Sequence, residues 1–163
     1  MISARNFETR VSVPADARQR MIDLLNAQLA DAFDLFSQAK QAHWNVKGAQ
    51  FYQMHELFDE LAAQLKDHVD LIAERATALG GMAMGTARMA AGRSRLPEWN
   101  TGVTESLAVA DALAEHFGAL AATTRDAIAV ADEHGDPATS DLLTEVLRSV
   151  EKGLWFLEAH HQR

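Results

Sequence analysis

The chain is predicted to be all-α: a four-helix bundle in which two helix pairs are joined by one long crossover. Three observations lead there. Four long segments repeat apolar residues at steps of about three and four, the spacing of one helical face. Val and Ile never alternate with polar residues over a useful length, so strand signals are absent. The links between the four segments run short, long, short.

The first helix is expected from about Pro14, a good first-turn residue, to about Ala42. Met21, Leu25, Leu29, Ala32, Phe33 and Phe36 form its apolar side. The second spans residues 50–79, which contain neither Pro nor Gly, and Gly80 follows as a C-terminal stop. Its apolar stripe is Met54, Phe58, Leu61, Leu65, Val69, Ile72, Ala76 and Leu79. The third runs from about Thr104 to Asp132 and is rich in Ala and Leu. The fourth opens at Asp136-Pro137, a cap followed by a first-turn proline, and runs to about His160.

The turns near Asn45 to Gly48 and near His134-Gly135 are short, so the helices they join are antiparallel neighbours. Residues 81–103 form the long link. A helix of about 30 residues is about 45 Å long, and extended chain covers that in roughly 14 residues. The 23 residues of this link therefore suffice to cross back, with room for a short helix. Residues 1–13 are expected to form a short flexible arm, and residues 14–161 the bundle domain.

At 163 residues and 48% hydrophobic, the chain has one domain's length and a sizeable core. With no cysteine, a disulfide framework, a thiolate ligand and a cysteine nucleophile are all excluded. The first residues lack the apolar run of a secretion signal, and no segment reaches transmembrane length. A cytoplasmic protein with no membrane partner is expected. Net charge is −8, which repels nucleic acid and draws cations into clefts.

The second helix carries the chemistry. His55 and Asp59 form one i, i+4 pair, and Asp70 and Glu74 form another. The outer two and the inner two share one midpoint, between residues 64 and 65. With His55 set at 0° on a helical wheel, Asp59 lies near ~40°, Asp70 near ~60° and Glu74 near ~100°. The core stripe centres near ~275°, so the ligand-type face lies about 135° away from it. Asp59 and Asp70 are roughly 16 Å apart along the axis, too far for one ion with ligand distances near ~2 Å. A second copy packed antiparallel about the midpoint resolves this. It sets His55 against the other copy's Glu74, and Asp59 against its Asp70. Two equivalent sites result, and Ala62 and Ala63 allow close approach near the axis.

His43 ends the preceding helix and approaches the same place. Two imidazoles and three carboxylates suit iron, manganese or zinc. An acidic i, i+4 pair alone is ordinarily a solvated face, and His55 alone could be a boundary histidine. The mirrored spacing, the shared face and the separate core stripe together favour a metal site.

The run Ala42 to Gly48, followed by His55-x3-Asp59, Asp70-x3-Glu74 and Leu154 to Glu158, resembles the Dps family, the miniature ferritins called DNA-binding proteins from starved cells. The likeness covers almost the whole chain. It implies a ferritin-like four-helix bundle, twelve of which close a hollow shell. It also implies a ferroxidase centre between two-fold related subunits, which oxidises Fe(II) with hydrogen peroxide or oxygen and stores ferric mineral. All five ligand positions of that centre are matched, by His43, His55, Asp59, Asp70 and Glu74. Trp44 would lie beside the centre and intercept stray oxidising equivalents; on residue type alone it is equally a packing aromatic. The likeness further suggests an acidic iron inlet near the turn joining the last two helices, with Asp132, Asp136, Asp141 and Glu145 as candidates. Asp136 has a competing role as helix cap. Glu56 resembles an inner-surface mineral nucleation position.

One departure is plain. No lysine precedes Lys40, and within residues 1–13 only Arg5 and Arg10 are basic. Direct DNA binding and nucleoid association are therefore not favoured. Three other readings stand beside the ferroxidase: a DNA-organising shell, which calls for a basic arm; a zinc buffer using the same ligands; and a plain interaction module, which leaves the mirrored ligands unexplained. Met82, Met84 and Met89 are read as packing residues, and His160-His161 as an adventitious metal site.

Overall fold

The computed structural model describes residues 6–162. They form α1 (Ala15–Asn45), α2 (Phe51–Ala78), α3 (Ala87–Ala91), α4 (Ser106–Glu133) and α5 (Pro137–Glu158). Among the described residues there is no strand, only an isolated parallel bridge between Lys47 and Glu105. The closest helix pairs are α1 with α2 and α4 with α5, the two hairpins that the short links predict. The hairpins meet through α1 against α4 and α2 against α5, while the crossover carries the short helix α3. This is the one-crossover bundle.

The ends of α2 and α4 and the start of α5 have local causes. At the end of α2, Gly80 takes φ +87°, which a residue with a Cβ rarely adopts. That turn lets Gly81 N–H bond Ala76 O at 3.0 Å and Gly80 N–H bond Thr77 O at 2.9 Å, closing two carbonyls the helix leaves open. Gly135 repeats the device after α4, with φ +70°. Asp136 caps α5 by accepting from Thr139 N–H at 3.2 Å, with Pro137 in the first turn. The first helix runs three residues beyond the expected Ala42, to Asn45. Nothing in Ala42-His43-Trp44-Asn45 breaks a helix, so His43 and Trp44 sit on its last turn.

The core is built from Met21, Leu25, Phe58, Leu61, Leu113 and Phe117, all buried, and it is continuous across both hairpins. At Gly153 the α5 backbone comes so close that a Cβ would meet Leu61 Cδ2 and Phe117 Cε1 at 2.9 Å. The crossover is tied to α1 by buried polar groups. Asn26 donates to Met82 O at 3.0 Å and accepts from Met84 N–H at 2.8 Å. Asp31, fully buried, accepts from Arg95 N–H at 2.8 Å and from its guanidinium at 2.6 Å. These bonds place α3 and its flanks along α1 and leave the ligand face of α2 open.

Of the expected arm, residues 1–5 with Arg5 lie outside the described residues. The stretch from Asn6 to Val11 has no regular secondary structure. It runs beside the α2 terminus, where Phe7 N–H donates to Gly80 O at 2.7 Å. No described helix is long and apolar enough to cross a membrane.

Candidate metal centre

The two histidines are locked together before any metal arrives. His43, on the last turn of α1, has its Nδ1 2.7 Å from the carbonyl oxygen of His55. His55, near the start of α2, has its Nδ1 2.9 Å from the carbonyl oxygen of His43. A carbonyl oxygen only accepts, so each Nδ1 donates and each Nε2 is the nitrogen left to face a metal. The rings stack with centroids 3.8 Å apart and planes 19° apart, and Phe51 lies 5.2 Å from the His55 ring. Fixing the tautomer by bonding the distal ring nitrogen is how proteins hold imidazole ready to ligate.

Asp59 lies one turn beyond His55 and is exposed. Lys40, from the turn of α1 before His43, sits 2.5 Å from Asp59 Oδ1. The hydrogen bond from this ammonium, more than any other contact, holds the Asp59 carboxyl below the ordinary aspartate range. Lys40 also lies 5.7 Å from the centre of the Trp44 ring, which is 63% exposed. No local sequence pattern marks Lys40, because it meets Asp59 only once α1 and α2 pair.

Asp70 and Glu74 are far down the same helix, both exposed on the open face. Asp70 lines a groove of about 410 Å³ together with Phe33, Phe36, Val69, Lys66 and Asp67. One chain therefore pairs His43 with His55 near one end of the face, with Asp59 one turn on, and carries Asp70 and Glu74 toward the other. Among the described residues, no three histidines or acids of a single chain come close enough to hold an ion. That agrees with the eleven-residue offset between Asp59 and Asp70.

The comparisons decide the family. A ferritin-like domain model matches residues 22–163. A DNA protection during starvation protein of Agrobacterium fabrum is 42% identical over 158 residues, covering 97% of this chain and 98% of its own length. The chain belongs to the Dps family. Among solved structures it is similar to DpsC from Streptomyces coelicolor. That match has TM-score 0.91 and 35% identity, with 97% of this chain and 92% of that one covered. It is also similar to a Dps protein from Vibrio cholerae O1, described as a member of a superfamily of ferritin-like diiron-carboxylate proteins. There the TM-score is 0.88, the identity 25%, and the coverage 98% and 99%. The bundle of this Dps-family chain is thus the ferritin-like fold expected from its helix pattern.

The acidic residues expected at an inlet divide into two kinds. Asp132, Asp141 and Glu145 are exposed, as is Glu56 beside His55. Asp136 is 1% exposed and fully engaged. It accepts from Arg75 Nη2 at 2.8 and 3.0 Å and from Thr139 Oγ1 at 2.6 Å, besides its cap bond. Burial alone would raise its carboxyl, but the hydrogen bonds from Thr139 and Arg75 outweigh this and hold it low. Asp136 thus fills the competing capping role and clamps the start of α5 to α2. The other residues passed over are two buried histidines. His116 bonds Gln38, and both ring nitrogens of His68 lack a partner among the described residues.

Proposed function

We propose that this chain is an iron-sequestering ferroxidase. Two copies pack antiparallel through α2, so that His43, His55 and Asp59 of one meet Asp70 and Glu74 of the other. Twelve copies close a hollow cytoplasmic shell that stores the ferric product, protecting DNA and the cell from oxidative damage. The observation that carries this reading is the split ligand face. Two imidazoles clamped to each other's backbone, with Asp59 one turn on, stand at one end of the face and two carboxylates stand bare at the other, about a common midpoint. The exposed aromatics Trp44, Phe51 and Tyr52 and the apolar groove beside Asp70 give this face the surface an interface needs.

Iron is here both substrate and cargo. The histidine Nε2 lone pairs fix the position of Fe(II), and the carboxylates stabilise the extra charge as it becomes Fe(III). Two Fe(II) supply the two electrons that, with two protons, convert one hydrogen peroxide to two waters. Paired delivery avoids the one-electron route to hydroxyl radical. Trp44, next to His43, would intercept any oxidising equivalent that escapes. Asp132, Asp141 and Glu145 would draw Fe(II) inward and Glu56 would seed mineral. Protection is proposed to come from removing iron and peroxide rather than from binding DNA, because the chain carries a net charge of −8.

The test is anaerobic Fe(II) loading followed by peroxide titration, read as ferric absorbance. Two Fe(II) should be consumed per peroxide. In Asp59→Asn/Glu74→Gln the rate should fall to that of protein-free solution. An unchanged rate in this variant would contradict the assignment. Tight Zn(II) binding with no peroxide-driven oxidation of Fe(II) would favour a redox-inert metal buffer.

A further inference from the structure

Lys40 stands where a cation would stand. Of the three carboxylates assigned to the centre, only Asp59 has an ion-pair partner among the described residues. Lys40 and Trp44 are four residues apart on α1 and so share one face. Lys40 is 23% exposed against 55% for Asp59, so its stem is packed and its head has a short range. Two seats lie within that range: Asp59 Oδ1 at 2.5 Å and the face of the Trp44 ring, 5.7 Å from its centre. Both attract an ammonium, the first by charge and the second through the ring quadrupole.

We propose that Lys40 is a displaceable internal cation: it holds Asp59 while the centre is empty, yields that carboxylate to a divalent metal by moving onto Trp44, and so sets the metal affinity of the centre. The inference rests on the metal-site reading above. Its physical reason lies in the charges. Without metal, the assembled centre would bring three carboxylates together beside two imidazoles. An ammonium at Asp59 offsets part of that repulsion and lets the interface form before metal arrives. A divalent ion binds the same carboxylate with twice the charge and repels the ammonium, which then needs a second resting place. The Trp44 ring provides it. The consequence is a trade: the empty interface is stabilised, and every metal that binds must first break an ion pair.

The test uses the full-length protein with Zn(II), which is redox-inert. Trp99→Phe/Trp155→Phe leaves Trp44 as the one indole. In this background Zn(II) should shift the Trp44 emission with a stoichiometry that Asp59→Asn abolishes. Adding Lys40→Met should tighten Zn(II) binding by at least about threefold, the worth of an exposed ion pair, and remove the emission shift. Lys40→Arg should bind Zn(II) more weakly than wild type, because a guanidinium grips the carboxylate in a fixed fork. Wild-type affinity in both Lys40 variants, with the emission shift retained, would overturn the proposal while leaving the metal site intact. Zn(II) binding indifferent to Asp59→Asn would overturn the site assignment and this proposal together.

Discussion

The two ends of the α2 ligand face are built in opposite ways. At the His55 end every donor is held by its own chain: the imidazoles by each other's carbonyls, and Asp59 by Lys40. At the Glu74 end the carboxylates project from an open helix surface, with no ion pair among the described residues. A site complete within one chain would be preorganised throughout, since loose ligands cost affinity. Preorganisation at one end alone is what a half-site shows when a second copy supplies the rest.

The largest contrast to test is between these ends. His43→Ala and Asp70→Asn/Glu74→Gln should both reduce peroxide-driven oxidation to the protein-free rate. Only His43→Ala should also unfold earlier, by about 1 kcal/mol in chemical denaturation, because only it breaks hydrogen bonds within the chain. Equal stability loss in both would show that Asp70 and Glu74 are held by contacts within their own chain.

Next in size is the pair of acids that resemble each other only in sequence. Asp136→Ala should destabilise the protein by about 3 kcal/mol, since it strands Arg75 and removes the α5 cap. The Asp136 carboxyl lies below its ordinary value of 3.8 in the folded chain. Its contribution is therefore present above about pH 4 and lost as pH falls through the folded value. Denaturation of the wild type across pH 2–6 should show this loss, and Asp136→Ala should flatten it. Asp141→Asn, by contrast, should leave stability unchanged and slow Fe(II) uptake at low salt, where charge steering is strongest.

Smaller still is Gly153→Ala. The added methyl gains helix propensity of about 1 kcal/mol but must displace Leu61 or Phe117. A net loss of about 1 kcal/mol is expected, measured as a lower denaturation midpoint. A gain would mean that the three-helix contact at this point is looser than its 2.9 Å approach.

What could be read in advance follows from range. Helix existence rests on periodicity within a few residues, and Gly80 and Asp136-Pro137 mark their ends locally, so four helices and the crossover were legible. The mirrored ligands were legible too, because one helix carries four of them and helical geometry fixes their common face. The end of α1 was misjudged because Asn45 follows no breaker. The other gaps are tertiary. Lys40 meets Asp59 across 19 residues of sequence and Arg75 meets Asp136 across 61, with no local pattern announcing either. The carbonyl clamp on the two imidazoles likewise exists only after α1 and α2 pair. The capping role of Asp136 was legible beside Pro137, but its ion pair with Arg75 was not.

The measurement closest to the central claim is complementation between two inactive variants. His55→Ala/Asp59→Asn lacks one half of the centre, and Asp70→Asn/Glu74→Gln lacks the other. Each alone should show no peroxide-driven oxidation beyond the protein-free rate. Unfolded together in equal amounts and reassembled, half of the pairs should be mixed, and each mixed pair should hold one intact centre. About a quarter of wild-type activity should then return, as a shared two-fold site requires. No recovery in shells that have assembled normally would place all five ligands within one chain and contradict the account.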